Sequence, residues 1–135
     1  MECSIRRILY VEDDPDIRMV GTMALETVGG FTVIACASGT EALDAAPTAE
    51  ADLILLDVMM PGMDGHATLK ALRGLPATAS TPAIFMTARV QPAEVAQHKA
   101  MGALDVIAKP FDPMQLADQI RRICATPPAP ASPPR

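Results

Sequence analysis

The sequence predicts an open α/β fold, a doubly wound parallel sheet of five strands with helices on both faces. Two observations carry the prediction. Short apolar runs rich in β-branched or large aliphatic residues alternate five times with longer amphipathic stretches along the 135 residues, the pattern of strands joined through crossover helices. The runs are also continuous, as in Ile8-Leu9-Tyr10-Val11 and Leu53-Ile54-Leu55-Leu56. A strand that is apolar on both sides belongs in a sheet covered on both faces.

Strand one is Ile8 to Val11, and Asp14-Pro15 follows as N-cap and first residue of helix one. Ile17, Val20, Ala24 and Val28 keep three- and four-residue spacing and mark its buried stripe, and Gly29-Gly30 supplies the left-handed exit. Phe31 to Cys36 is strand two. Ser38-Gly39-Thr40-Glu41 reads as a capping box, serine and glutamate each satisfying the other's exposed backbone amide, and opens a short helix two. Strand three, Leu53 to Leu56, is the most apolar run and ends on Asp57. Pro61-Gly62 and Asp64-Gly65 break regular structure before helix three, which closes near Gly74. Pro82 to Thr87 is strand four, Pro92 opens a helix four closing near Gly102, and Leu104 to Ala108 is strand five. Asp112-Pro113 starts helix five, with Ile120 and Ile123 on its buried stripe. Residues 126–135 are almost wholly Pro, Ala and Ser and are expected as an extended, disordered tail, which leaves 1–125 as one domain.

Composition narrows the function classes. Half of the residues are hydrophobic and 20% charged, which excludes global disorder. A net charge of -5 provides no overall basic field for phosphate backbones or anionic lipid, so neither nucleic acid nor a membrane surface is expected as a direct partner. Nine Met against one Tyr, three Phe and no Trp point to a core of thioethers and alanines without an aromatic platform for stacking bases. Cys3, Cys36 and Cys124 show no CxxC spacing and no histidines clustered with them, as in a reduced cytoplasmic protein. Glu12, Asp13 and Asp14 end the first apolar run too early for a signal peptide, and no run reaches the roughly 18 apolar residues of a membrane helix.

In a doubly wound sheet, ligands bind outside the carboxyl ends of the strands, where strand order reverses. Strand one ends in Glu12-Asp13-Asp14, strand three in Asp57, strand four in Thr87 and strand five in Lys109. If the order is 2-1-3-4-5, the carboxylates of strands one and three meet at the switch point. Packed carboxylates repel one another unless a cation is present. Oxygen-only donors favour Mg²⁺, with Mn²⁺ as the alternative. Lys109 adds an ammonium suited to a phosphoryl oxygen, and Thr87 a hydroxyl that donates to another. Singly, each residue has an ordinary structural reading: Asp14 as a helix cap, Lys109 as a surface lysine, Thr87 as a strand threonine. Together they make a phosphoryl-accepting site with Asp57 as nucleophile.

Four segments carry a family resemblance: Ile8-Leu9-Tyr10-Val11-Glu12-Asp13-Asp14-Pro15-Asp16-Ile17-Arg18, Leu55-Leu56-Asp57-Val58-Met59-Met60-Pro61-Gly62-Met63-Asp64-Gly65, Met86-Thr87-Ala88 and Lys109-Pro110-Phe111. In order and spacing the chain resembles, over roughly residues 5–125, the receiver domain of bacterial two-component response regulators. The resemblance implies a flavodoxin-like, chemotaxis-regulator-type fold. It implies that Asp57 accepts a phosphoryl group from the phosphohistidine of a sensor histidine kinase or histidine phosphotransferase. Asp13 would ligate Mg²⁺ directly and Glu12 through water, with Asp57 and the backbone carbonyl of Met59 completing the protein ligands. Lys109, on a cis bond to Pro110, would clamp the phosphate. Thr87 would move to bind the aspartyl phosphate, and the small Ala88 would leave its path open.

One position departs from the family. Val106, three residues before the lysine, stands where the family usually has an aromatic whose inward swing reports phosphorylation. Valine has no ring to exchange between states, so signalling is expected to rest on loop and helix shifts between Thr87 and Gly102. The residues after Ile123 do not amount to an output domain. The expected protein is thus a stand-alone phosphorelay receiver whose only chemistry is its own phosphorylation and dephosphorylation, not an enzyme with turnover. Its output would pass through helix four, strand five and helix five to an unidentified protein target or a second copy. A phosphorelay shuttle or phosphate sink has the same chemistry. An aspartate-nucleophile phosphatase usually carries a second acid two residues after the nucleophile, where this chain has Met59. The acidic first loop and the lack of Trp oppose a flavin carrier, and the lack of a glycine-rich phosphate loop opposes a nucleotide site.

Overall fold

The computed structural model describes residues 5–125; the tail expected at 126–135 and Cys3 lie outside the described residues. The strands β1 (Arg7–Val11), β2 (Thr32–Cys36), β3 (Leu53–Asp57), β4 (Ala83–Thr87) and β5 (Asp105–Ala108) alternate with the helices α1 (Pro15–Met23), α2 (Gly39–Ala49), α3 (Gly65–Arg73), α4 (Pro92–Ala100) and α5 (Leu116–Ala125). All strand pairs are parallel, in the order β2-β1-β3-β4-β5. This is the flavodoxin-like arrangement that the resemblance implied. The winding reverses between β1 and β3, paired from Ile8 with Leu53 to Val11 with Leu56, and opens a crevice at their carboxyl ends.

Alternation along the strands sorts side chains into two cores. Leu9, Val11, Ile54, Leu56 and Phe85 meet Ala42, Ala46, Leu69 and Leu72 of α2 and α3. Ile8, Tyr10, Leu53, Leu55, Ile84 and Met86 meet Leu25, Leu116, Ala117 and Ile120 on the opposite face. Every residue of β3 and β4 is buried, which explains why their sequences are apolar without alternation. Each buried aliphatic contributes about 1.5–3 kcal/mol, so β3 and β4 are firmly anchored in the core. No helix of the described residues is long and apolar enough to cross a membrane.

The caps follow the sequence closely. Asp14 Oδ1 accepts from the amides of Asp16 and Ile17, with Pro15 in the first turn. Ser38 Oγ accepts from the Glu41 amide at 3.1 Å, while Glu41 Oε1 accepts from the amide of Ala37 rather than that of Ser38. The chain leaves helix one with Gly30 at φ 76°, and the Lys109-Pro110 bond is cis.

Two helix expectations need correction. After Met23, helix one widens into a π-helical turn, Ala24–Val28, and its buried face is Gly21, Ala24 and Leu25, whereas Val20 and Val28 are exposed. The reason lies at Gly21, where an added Cβ would fall 2.3 Å from the Tyr10 hydroxyl. The glycine face, having no side chain, is the one that admits the ring of Tyr10, and Val20 is rotated outward. Regular helix five starts at Leu116, not Asp112. The residues before it form a turn in which the Asp112 carbonyl accepts from the amides of both Gln115 and Leu116, and its carboxylate from that of Met114.

Candidate functional site

The carboxyl ends of β1, β3 and β5 bring Glu12, Asp13, Asp57 and Lys109 together. One oxygen from each of the three carboxylates lies within 4.8 Å of the others. Glu12 and Asp57 are 1% and 2% exposed. Lys109 Nζ reaches Glu12 Oε1 at 2.8 Å and Asp57 Oδ1 at 3.3 Å. The backbone holds the acids in place: the Asp14 amide donates to Glu12 Oε2 at 3.2 Å, and the Met59 amide to Asp57 Oδ1 at 3.3 Å.

Electrostatics make this a site in need of a cation. Burial, then the hydrogen bond and charge of Glu12, push the Asp57 carboxyl up to about 7, against the opposing pull of Lys109. Burial works against the charge of Lys109 too, but Glu12 and Asp57 outweigh it and hold the ammonium above its ordinary range. One lysine thus faces three carboxylates. A divalent cation with oxygen preference fits the remaining demand, and Glu12, Asp13 and Asp57 are the side chains that would hold it. Met59 stands beside them with its amide on Asp57 and its side chain in solvent.

Packing below Asp57 is close. An added Cβ at Gly65, the first residue of α3, would lie 2.4 Å from the Asp57 carbonyl oxygen, and the Gly65 amide donates to the Val58 carbonyl at 2.9 Å. The start of α3 therefore presses against the end of β3, and only a glycine fits there.

Thr87 and its neighbours lie at the end of β4, the strand paired with β3. Thr87 is buried at the end of β4, and its Oγ1 accepts from the Arg89 amide at 3.1 Å. Its carbonyl accepts from the Lys109 amide at 2.9 Å, tying β4 to the start of the Lys-Pro turn. Ala88 is exposed. Val106 is half-buried, pairs with Phe85 in register, and packs on the core shared with α2 and α3.

Two features escaped sequence reasoning. Arg18 Nη1 donates to the carbonyls of Glu12 at 2.9 Å and Asp13 at 3.3 Å, pinning the acidic loop from the first turn of α1. Its place four residues after the Asp14 cap was the only signal. The histidines, scattered in sequence, do cluster in space: His66 Nε2 and His98 Nδ1 are 3.1 Å apart. They lie 32 residues apart on different helices, and no local pattern joins them.

Comparisons with known proteins agree with the geometry. The family model of the response regulator receiver domain matches residues 8–121. Over 117 residues the chain is 41% identical to the transcriptional activator protein IrlR of Burkholderia pseudomallei, covering 87% of this chain and 49% of that protein. It is 36% identical over 121 residues to the DNA-binding response regulator MtrA of Mycobacterium tuberculosis, covering 90% and 51%. The chain spans about half the length of the curated relatives it matches. Among solved structures, the chemotaxis protein CheY4 of Vibrio cholerae superposes with a TM-score of 0.81 at 33% identity, over 89% of this chain and 99% of that one.

Proposed function

The chain belongs to the response regulator receiver domain family, and from that premise we propose that Asp57 is the phosphoacceptor of a phosphorylation switch. A carboxylate oxygen of Asp57 attacks phosphorus, the bond from phosphorus to the donor's imidazole nitrogen breaks, and that nitrogen keeps the electron pair. The observation that carries this is the convergence of Lys109 on Asp57 and Glu12, at 3.3 and 2.8 Å, at the topological switch point. Lys109 is placed to leave the carboxylates for the incoming phosphoryl oxygens. Glu12, Asp13 and Asp57 would hold Mg²⁺, with the Met59 carbonyl as a further ligand, and the ion would supply charge neutralisation for phosphoryl transfer. Thr87, released from the Arg89 amide, then donates to the phosphoryl group past Ala88.

The chemistry is confined to the chain itself, and the protein is cytoplasmic in this reading. The donor is a histidine kinase or a histidine phosphotransferase. An exposed apolar row on α1, Met19, Val20 and Met23, lies by a groove lined by Ile17, Val20, Lys109, Pro110 and Phe111, and gives such a donor a surface beside Asp57. Output passes to a protein partner, or to a second copy, across α4, β5 and α5. Incubation with acetyl phosphate and Mg²⁺, read by intact mass, tests the proposal on wild type, Asp57→Asn and Lys109→Met. One phosphoryl adduct is expected on wild type, none on Asp57→Asn, and a slower one on Lys109→Met. An adduct that survives Asp57→Asn, or wild type that stays unmodified with every phosphodonor, overturns it.

A further inference from the structure

The helix between β4 and β5 is held to the body of the protein by a histidine. Within Pro92–Ala100 the only buried side chain is His98. Its Nδ1 meets His66 Nε2 of α3 at 3.1 Å. Both imidazoles stand edge-on to Phe85, with ring centroids 5.1 and 5.2 Å away. Phe85 lies two residues before Thr87 and on the same side of β4, and it pairs with Val106. The His98 carbonyl also accepts from the amides of Met101 and Ala103 at 3.1 Å, fixing the exit of α4.

We propose that the His66–His98 pair is the latch through which the phosphoryl state at Asp57 reaches α4, and that acidification opens the same latch. The switching half of this inference rests on the phosphoacceptor reading; the pH half does not. A shift of Thr87 toward Asp57 displaces Phe85 along the same strand face, and with it the ring against which both imidazoles pack. Val106 offers no aromatic for this task, and the histidines sit on the core to which Val106 belongs.

The hydrogen bond needs one nitrogen with a proton and one without, so a doubly charged pair has two donors facing each other and repels. Burial, then the neighbouring His66, hold His98 below the ordinary imidazole range, against the pull of Glu94. The surrounding charges are few. On α4, Glu94 also pairs with Arg89 at 3.7 Å, and Lys99 pairs with Asp105 of β5 at 3.9 Å. From α3, Lys70 and Arg73 share a groove with His66. From β4 comes only the uncharged ring of Phe85.

A histidine held low in the closed state takes up a proton on release, so the closed state loses ground as pH falls below the ordinary imidazole range. With a released imidazole ionising near about 6.5 and His98 held below that when closed, opening is favoured by up to about tenfold more at pH 5.5 than at pH 7.5. Amide hydrogen exchange across residues 92–100, corrected for intrinsic pH dependence, reads this directly on wild type and on His98→Phe, which keeps a ring but cannot titrate. The expected result is a loss of protection of up to about tenfold in wild type and none in His98→Phe. Equal protection at both pH values in wild type, or the same loss in His98→Phe, overturns the latch.

A second arm adds beryllofluoride with Mg²⁺ as phosphoryl mimic and follows both imidazoles by NMR. The latch predicts that His98 moves into the ordinary titration range when the mimic binds. Amide shifts around Asp57 with both rings unmoved overturn the switching role. An Asp57 shell that never responds overturns the phosphoacceptor reading, and the latch is then decided by the exchange data.

Discussion

Replacing Asp57 by Asn should stabilise the metal-free protein, by an amount that grows with pH. Asp57 is 2% exposed, and its carboxyl is pushed up from 3.8 to about 7, by burial first and then by Glu12. The folded state therefore holds this proton more tightly than the unfolded chain does. Wild-type stability falls as pH rises from about 4 to about 7, a loss Asn does not share. At about 1.36 kcal/mol per unit, a gap of roughly 3 units costs wild type about 4 kcal/mol at pH 8, and about 1.6 kcal/mol at pH 5. Against this stands a pH-independent cost, about 1–2 kcal/mol, for exchanging the protonated carboxyl's contacts for those of a carboxamide. The quantity that survives this cost is the growth of the variant's advantage, about 2–3 kcal/mol between pH 5 and pH 8. Urea unfolding in EDTA at the two pH values measures it. At pH 8, saturating Mg²⁺ should close the gap, because about 2.7 kcal/mol is gained at a hundredfold excess over the dissociation constant and the variant lacks one ligand. A gap that is the same at both pH values, or a variant weaker than wild type at pH 8 in EDTA, would refute the assignment of burial and Glu12 repulsion as the causes.

Two further outcomes follow from packing and capping. Gly65→Ala drives a methyl to 2.4 Å from the Asp57 carbonyl oxygen, so a loss of about 2 kcal/mol or more by urea unfolding is expected, with weaker Mg²⁺ binding as the end of β3 moves; unchanged values for both would mean that α3 is not seated on β3 as described. Asp14→Ala removes the acceptor for the Asp16 and Ile17 amides and should cost about 1 kcal/mol of stability, with the adduct from acetyl phosphate retained; loss of the adduct in a folded variant would give Asp14 a role at the site itself.

Much of the architecture was legible because the physics was local. Continuous apolar runs mark the central strands, and Asp14 and Ser38 cap where their short oxygen acceptors suit exposed amides. Asp57, Glu12, Asp13 and Lys109 were found because a doubly wound sheet gathers strand ends, so a rule of topology turned distant residues into neighbours. What was not legible depends on shape in three dimensions. The outward turn of Val20 follows from the room that Tyr10 takes beside Gly21, a contact across eleven residues that hydrophobic spacing does not report. The later start of helix five reflects Asp112 spending its carbonyl and carboxylate on a turn. His66 and His98 look like isolated polar residues on two amphipathic helices until Phe85 brings them to one place.

Lys109 and Glu12 are separated by 97 positions along the chain, yet their 2.8 Å contact joins the last strand to the first. No fragment that lacks the first or the last strand in chain order contains the complete site. On the proposed function, competence to accept a phosphoryl group is thereby tied to completed folding, and a chain still emerging from the ribosome, or one opened at β5, would be silent to its donor. A signal written on Asp57, as proposed, would then also be a certificate that the surface which must transmit it has been built.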